Sequence, residues 1–104
     1  MSSTEAFLRA RNLLQRHRDD YEAAYVRFAW PALDRFNWAL DWFDVLAQGN
    51  EKPALHIVED DGREVKLSYS ELSRRSSRVA LFLRRMGVER GDRILMMLPN
   101  SVPI

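Results

Sequence analysis

The stretch from Ser68 to Gly87 specifies both ends of a helix and the face it buries, and no other part of the chain constrains the fold as much. Ser68 and Glu71 are three apart, the spacing at which a hydroxyl and a carboxylate cap a first turn reciprocally. Leu72, Ser76, Val79, Leu83 and Met86 follow at steps of four, three, four and three, which lays a stripe along one side. Gly87 falls where a left-handed terminating residue is wanted, and Val88 can fold back on the last turn. Gly91-Asp92 makes the next turn, and Arg93 to Leu98 (RILMML) has the apolar character of a strand buried on both faces. A striped helix between two strands predicts a βαβ unit with a right-handed crossover.

The strand ahead of that helix belongs to a hairpin. Ala54 to Glu59 (ALHIVE) is short and apolar-rich, Asp61-Gly62 marks a turn, and Glu64 to Ser68 alternates polar with apolar residues. The first half of the chain reads as helices instead. Ser2 and Glu5 have capping-box spacing ahead of Phe7, Ala10 and Leu14. Asp19 with Glu22 opens a second helix carrying Tyr21, Tyr25 and Phe28, and Pro31 ends it because Trp30 is pushed toward extended geometry. Asn37 caps a third helix through Trp38, Phe43 and Leu46, with Gly49 just past its end. The predicted class is α/β, with a helical segment over residues 1–50 and the start of an α/β domain over residues 51–104.

After Leu98 comes Pro99-Asn100-Ser101-Val102-Pro103-Ile104, in which Ser101 can cap a new helix and Pro103 suits its first turn. Either this is a frayed tail or a helix is opened and cut short. The second reading is the expected one, and it makes the chain a fragment of a larger protein.

Composition excludes several functions. Sixteen basic against fifteen acidic residues leave a net charge of +1, without the basic excess of a general nucleic-acid binder. The absence of cysteine removes disulfides, thiolate metal sites and cysteine nucleophiles. No apolar run approaches the roughly 20 residues of a membrane span, and MSSTEAFLRARN lacks the apolar core of a signal peptide. The expectation is a cytoplasmic protein.

Candidate chemistry is sparse. Gly49, Gly62, Gly87 and Gly91 are scattered, so they form no phosphate-binding loop. His17, inside Gln15-Arg16-His17-Arg18, reads as a helix-end residue, and His56 as a structural histidine on a strand facing away from Leu55 and Ile57. Glu59, Asp60 and Asp61 could meet a cation, but a hairpin tip uses such residues for local backbone hydrogen bonds. Arg74, Arg75, Arg78, Arg84, Arg85, Arg90 and Arg93 could meet phosphates. Without interleaved aromatics they read as a solvated helix face, with Glu71 and Arg75 paired at i,i+4. Phe36, Trp38, Trp42 and Phe43 form an aromatic cluster that could line an acyl pocket but reads as core or docking surface. No residue is assigned a catalytic, cofactor-binding or metal-binding role.

From Phe36 to the end, the chain resembles the N-terminal region of AMP-forming acyl-CoA synthetases of the adenylate-forming superfamily. The resemblance is carried by FNWALDWFD (Phe36 to Asp44), the turn at Asp61-Gly62, LSYSELSRRSSRVALFLRRMGV (Leu67 to Val88) and ERGDRILMMLPNS (Glu89 to Ser101). The opening FNWA-x-D is similar to the medium-chain acyl-CoA and acetyl-CoA synthetase branches. The resemblance implies a full-length ligase that activates a carboxylic acid, of the fatty-acid kind, with ATP and Mg²⁺ to acyl-AMP and then acyl-CoA. It also implies that residues 51–104 begin the AMP-binding domain. The family's phosphate loop, ribose-binding aspartate and catalytic lysine have no counterpart in these residues, so the fragment alone is expected to be inactive. Its partners would be the remainder of that enzyme and, through it, a carboxylic acid, ATP and CoA, with no nucleic acid and no membrane span. Uncovered strand edges and apolar faces would make the isolated chain self-associate. Two alternatives stay open on sequence: a stand-alone interaction module, and a small nucleic-acid binder built on the arginine-rich helix.

Overall fold

A computed structural model describes residues 1–99 and 101. The chain divides into two compact units, Met1–Trp42 and Phe43–Ile104.

The first unit is helical. Helix α1 spans Ser3–Arg16, and its start is the reciprocal cap expected: the Ser2 amide donates to the Glu5 carboxylate (2.7 Å) and the Glu5 amide to Ser2 Oγ (3.2 Å). Helix α2 spans Tyr21–Arg27, and its cap is Asp20 rather than Asp19. Asp20 Oδ1 accepts from the Ala23 amide at 3.0 Å, whereas Asp19 pairs with Arg18 on the surface. Both aspartates could fill the role; the residue bonded to the amide three positions on takes it. Helix α2 also stops earlier than the proline requires. Phe28 is already extended, so it leaves the Tyr21–Tyr25 face and packs edge-on against Trp30 at 5.1 Å. The segment returns to α1 through Ser3 Oγ, which accepts from the Asp34 amide at 3.2 Å.

Asn37 caps the next element as predicted. Its Oδ1 accepts from the amides of Ala39 (3.0 Å) and Leu40 (3.1 Å), while its own amide donates to Asp41 Oδ2 (2.7 Å). The capped element is a π-helical turn over Trp38–Phe43, wider than the α-helix expected, and helix α3, Asp44–Ala47, begins only after it.

In the second unit, strands β1 (Pro53–Val58) and β2 (Glu64–Ser68) pair antiparallel, with an irregularity between Pro53 and Leu55. The Asp61-Gly62 turn closes as read. The Gly62 amide donates to the Glu59 carbonyl (2.9 Å), and Gly62 takes φ +84°, open only to a residue without Cβ strain. Helix α4 spans Tyr69–Arg85, with Ser68 Oγ accepting from the Glu71 amide at 3.1 Å. Past its C-cap Met86, the Gly87 amide donates to Arg84 O and the Val88 amide to Leu83 O, both at 3.1 Å with Gly87 left-handed. These two bonds form a Schellman termination.

Helix α4 packs on α3 and on both strands. The small core centres on Ala47 (1% exposed) and Leu67 (9% exposed). Leu55, Ile57 and Leu72 are half-buried beside them, while His56 and Val58 face outward. Ser73 Oγ donates to Asp44 Oδ1 at 2.7 Å and ties α4 to α3.

One predicted element is not formed. The chain is α/β as expected, but Arg93–Leu98 adopts no strand, and the sheet among the described residues is the β1–β2 hairpin alone. The βαβ unit is therefore corrected to a hairpin followed by a helix. A strand holds its shape through hydrogen bonds to a neighbour, and no described strand lies beside this one. The stripe of α4 shows the same lack: Leu72 and Leu83 are half-buried, but Ser76, Val79 and Met86 are exposed. The helix expected to open at Ser101-Val102-Pro103 lies outside the described residues apart from Ser101 itself.

Candidate functional site

The densest polar constellation surrounds the start of α4. The Tyr69 amide donates to the Lys52 carbonyl (3.1 Å) and the Ser70 amide to the Asn50 carbonyl (3.0 Å). These bonds occupy two of the amides that a helix start leaves without intrahelical partners. Ser70 Oγ donates to the Glu51 carboxylate. One turn on, Glu71 accepts from Arg75 Nε (2.9 Å) and from Arg74. Those bonds, from Arg75 first and Arg74 second, pull the Glu71 carboxyl from its ordinary 4.5 down to about 2. The pairing is the i,i+4 contact read from sequence. Two of the arginines are thereby committed to their own helix rather than to a ligand.

A folded-state value below the unfolded one means that the Glu71 contribution is complete above pH 4.5 and disappears as pH falls through about 2. The melting temperature of the chain is expected to drop over that window. In Glu71→Gln the drop should be visibly shallower in thermal melts followed by circular dichroism. An unchanged acid limb in the variant would show that Glu71 has no part in the drop.

The expected aromatic cluster is divided. Phe36 and Trp42 lie against Phe7 of α1, with ring centroids 4.8 and 5.5 Å away, and the Arg11 guanidinium sits 4.7 Å over Trp42. Phe43 instead faces Tyr69 of the second unit at 6.1 Å. Trp38 is half exposed. Phe36 and Trp42 pack within the first unit and Phe43 within the second.

Sequence reasoning did not anticipate two hollows in the first unit. One, of about 450 Å³, is apolar and is lined by Phe7, Ala10 and Leu14 of the predicted stripe together with Phe28, Trp30, Pro31, Leu33 and Phe36. Phe28-Ala29-Trp30-Pro31, apolar residues beyond a helix end, was the available signal. The other, of about 470 Å³, is lined largely by polar side chains of α1 and by Arg27. Its signal was the basic stretch Arg16-His17-Arg18 at a helix end.

On the outer face of the hairpin, His56 Nε2 lies 3.0 Å from Glu64 Oε2, and Lys66 Nζ lies 3.7 Å from the same oxygen. His56 on β1 and Lys66 on β2 thus both approach the Glu64 carboxylate on the paired strands. His17 caps α1, its amide bonded to Leu13 O at 3.2 Å. Asp61 is taken up by Arg63, whose amide and Nε reach its two oxygens at 3.1 and 2.7 Å.

The sequence profile of the family described as AMP-binding enzyme matches residues 42–104, which covers the hairpin, α4 and the apolar segment after it. The chain belongs to this AMP-binding enzyme family. Among its relatives, the acetyl-coenzyme A synthetase of Burkholderia thailandensis is 32% identical over 88% of this chain and 18% of its own length. The 4-hydroxybutyrate–CoA ligase 1 of Metallosphaera sedula is 40% identical over 62% of this chain and 12% of its own length. The acetyl-coenzyme A synthetase of Burkholderia mallei is 31% identical over the same shares, 88% and 18%. The chain thus spans less than a fifth of the curated relatives it matches. No solved structure gives a significant match.

A backbone cradle places glycines where a Cβ would strike the ligand-facing loop. Gly49, Gly62, Gly87 and Gly91 all take positive φ, between 63° and 97°, and a Cβ on any of them would meet nothing within 4 Å. They reverse the chain at four separate turns. Among the described residues no group of three or more His, Cys, Asp or Glu could hold a metal ion. Among them, too, no helix is long and apolar enough to cross a membrane.

Proposed function

We propose that this chain forms part of the N-terminal region of an AMP-forming acyl-CoA synthetase, an acid–thiol ligase in which residues 51–104 begin the AMP-binding domain. The observation that carries the reading is the family match over residues 42–104, joined to relatives named for CoA ligation. The whole enzyme would convert a carboxylic acid of the fatty-acid class, ATP and CoA to acyl-CoA by way of acyl-AMP, in the cytoplasm. Transfer at the α-phosphorus needs converging donors, cations and metal ligands. Residues 1–104 are proposed to contribute none of these, so the catalytic, cofactor and metal groups belong to the rest of the enzyme. The 104-residue chain alone is then inactive, and its role is architectural. Its natural cover is the remainder of the enzyme, and without that cover it self-associates through exposed apolar side chains.

The test is acid-dependent formation of AMP from ATP, Mg²⁺ and CoA, measured across acids from acetate to palmitate. The product of the whole reading frame containing these residues should form AMP with a fatty acid, and the 104-residue chain should form none. Acyl-adenylate made by the short chain, or no acid-dependent AMP from the whole product, would overturn the reading.

A further inference from the structure

The polar hollow of the first unit concentrates cationic side chains beyond what either helix needs. Arg9, Arg16 and His17 of the α1 region and Arg27 at the end of α2 line it, together with Asn12 and a single acid, Glu5. These residues come from positions far apart in sequence, so the α1–α2 pairing assembles the patch. Arg9, Arg16 and Arg27 form no salt bridge among the described residues. Glu5 offsets only part of this charge: its carboxylate, which also acts on Arg9, accepts a hydrogen bond from the Ser2 amide at 2.7 Å. That bond, before any other influence, holds the Glu5 carboxyl below its usual range. The acid is thus fixed as an anion at the helix cap, one negative charge among three guanidinium groups.

We infer that the hollow lined by Arg9, Arg16, His17 and Arg27 is a binding site for a phosphate-bearing small anion. Its volume of about 470 Å³ lies within the range of small-molecule sites. Guanidinium forks match phosphate oxygens in pairs, and Asn12 and the His17 ring add N–H donors. A long polyanion such as nucleic acid is the poorer occupant, because the chain as a whole carries a charge of only +1. The site lies outside the acyl-transfer chemistry proposed above and stands or falls independently of it.

Arg16 and Arg27 each lie in the last turn of a helix, where a cation also complements the helix dipole. The experiment must separate that role from binding. The full chain is titrated calorimetrically with inorganic pyrophosphate and, in separate arms, with inorganic phosphate and adenosine 3′,5′-bisphosphate. The expected result is saturable binding of pyrophosphate that weakens at least tenfold in the double variant Arg16→Gln/Arg27→Gln. It should be unchanged in Arg84→Gln/Arg85→Gln, which alters the end of α4. Tighter binding of the bisphosphate than of pyrophosphate would identify a nucleotide as the ligand, and the reverse order a free phosphate. A merely structural role would lower the melting temperature of the first variant while leaving its pyrophosphate affinity intact. That outcome, or no saturable binding to the unaltered chain, overturns the proposal.

Discussion

Ala47→Asp is expected to unfold the hairpin and α4 together. Ala47 is 1% exposed, the most enclosed apolar residue among those described, at the point where α3 meets α4. The Ser73 hydroxyl that ties α4 to α3 already donates to Asp44 Oδ1, so it is not free to pair a new carboxylate on α3. Burying an unpaired charge costs several kcal/mol, of the same order as the total stability of a small domain. Ala47→Gly, which keeps the space and removes only a methyl, should cost about 1 kcal/mol. Far-ultraviolet circular dichroism and urea titration of the pair distinguish the cases. An Ala47→Asp chain that melts within a few degrees of the original would show that this position is not core.

The second large effect concerns association. Leu95 and Met97 are 91% and 89% exposed, in a segment whose backbone forms no hydrogen bond among the described residues and which carries one charge, Arg93, across its six residues. Short apolar extended segments without proline are prone to pair with copies of themselves. In the double variant Leu95→Lys/Met97→Lys, two cations on alternate residues would repel across such a pairing. The chain is expected to shift from oligomer to monomer, with its dissociation constant raised by at least an order of magnitude. Light scattering after size exclusion reads the change directly. A monomeric unaltered chain at high concentration would dispose of the idea, as would a variant that associates equally well.

The local grammar of the chain was legible without coordinates because each signal acts over three or four residues. Ser2 with Glu5, Asn37, Asp61-Gly62 and Gly87 take the roles their spacing predicts, and Ser68 caps α4 as expected, but the Glu71 carboxylate turns to Arg74 and Arg75 and does not complete the reciprocal cap. What escaped the sequence was non-local. RILMML has the composition of a buried strand, but composition carries no information about whether a neighbour is present. The wide turn at Trp38–Phe43 escaped for another reason: its residues permit an ordinary helix equally well, so packing decides. For the site, the pairings of Asp61 with Arg63 and of His56 with Glu64 join residues of one hairpin, a range that sequence reading reaches. The hollow between α1 and Arg27 could not, since it exists only once two helices fold onto each other.

The carbonyls of Asn50 and Lys52 hold the first amides of α4, so the chain returns, after its excursion through the hairpin, to the place it left. The excursion is a closed circuit, fastened at its neck by hydrogen bonds and along its arms by strand pairing. A peptide bond severed at the Asp60–Asp61 tip would leave both halves fastened to each other. The tip is therefore a place where new ends could be opened, or a foreign segment spliced in, without undoing the neck.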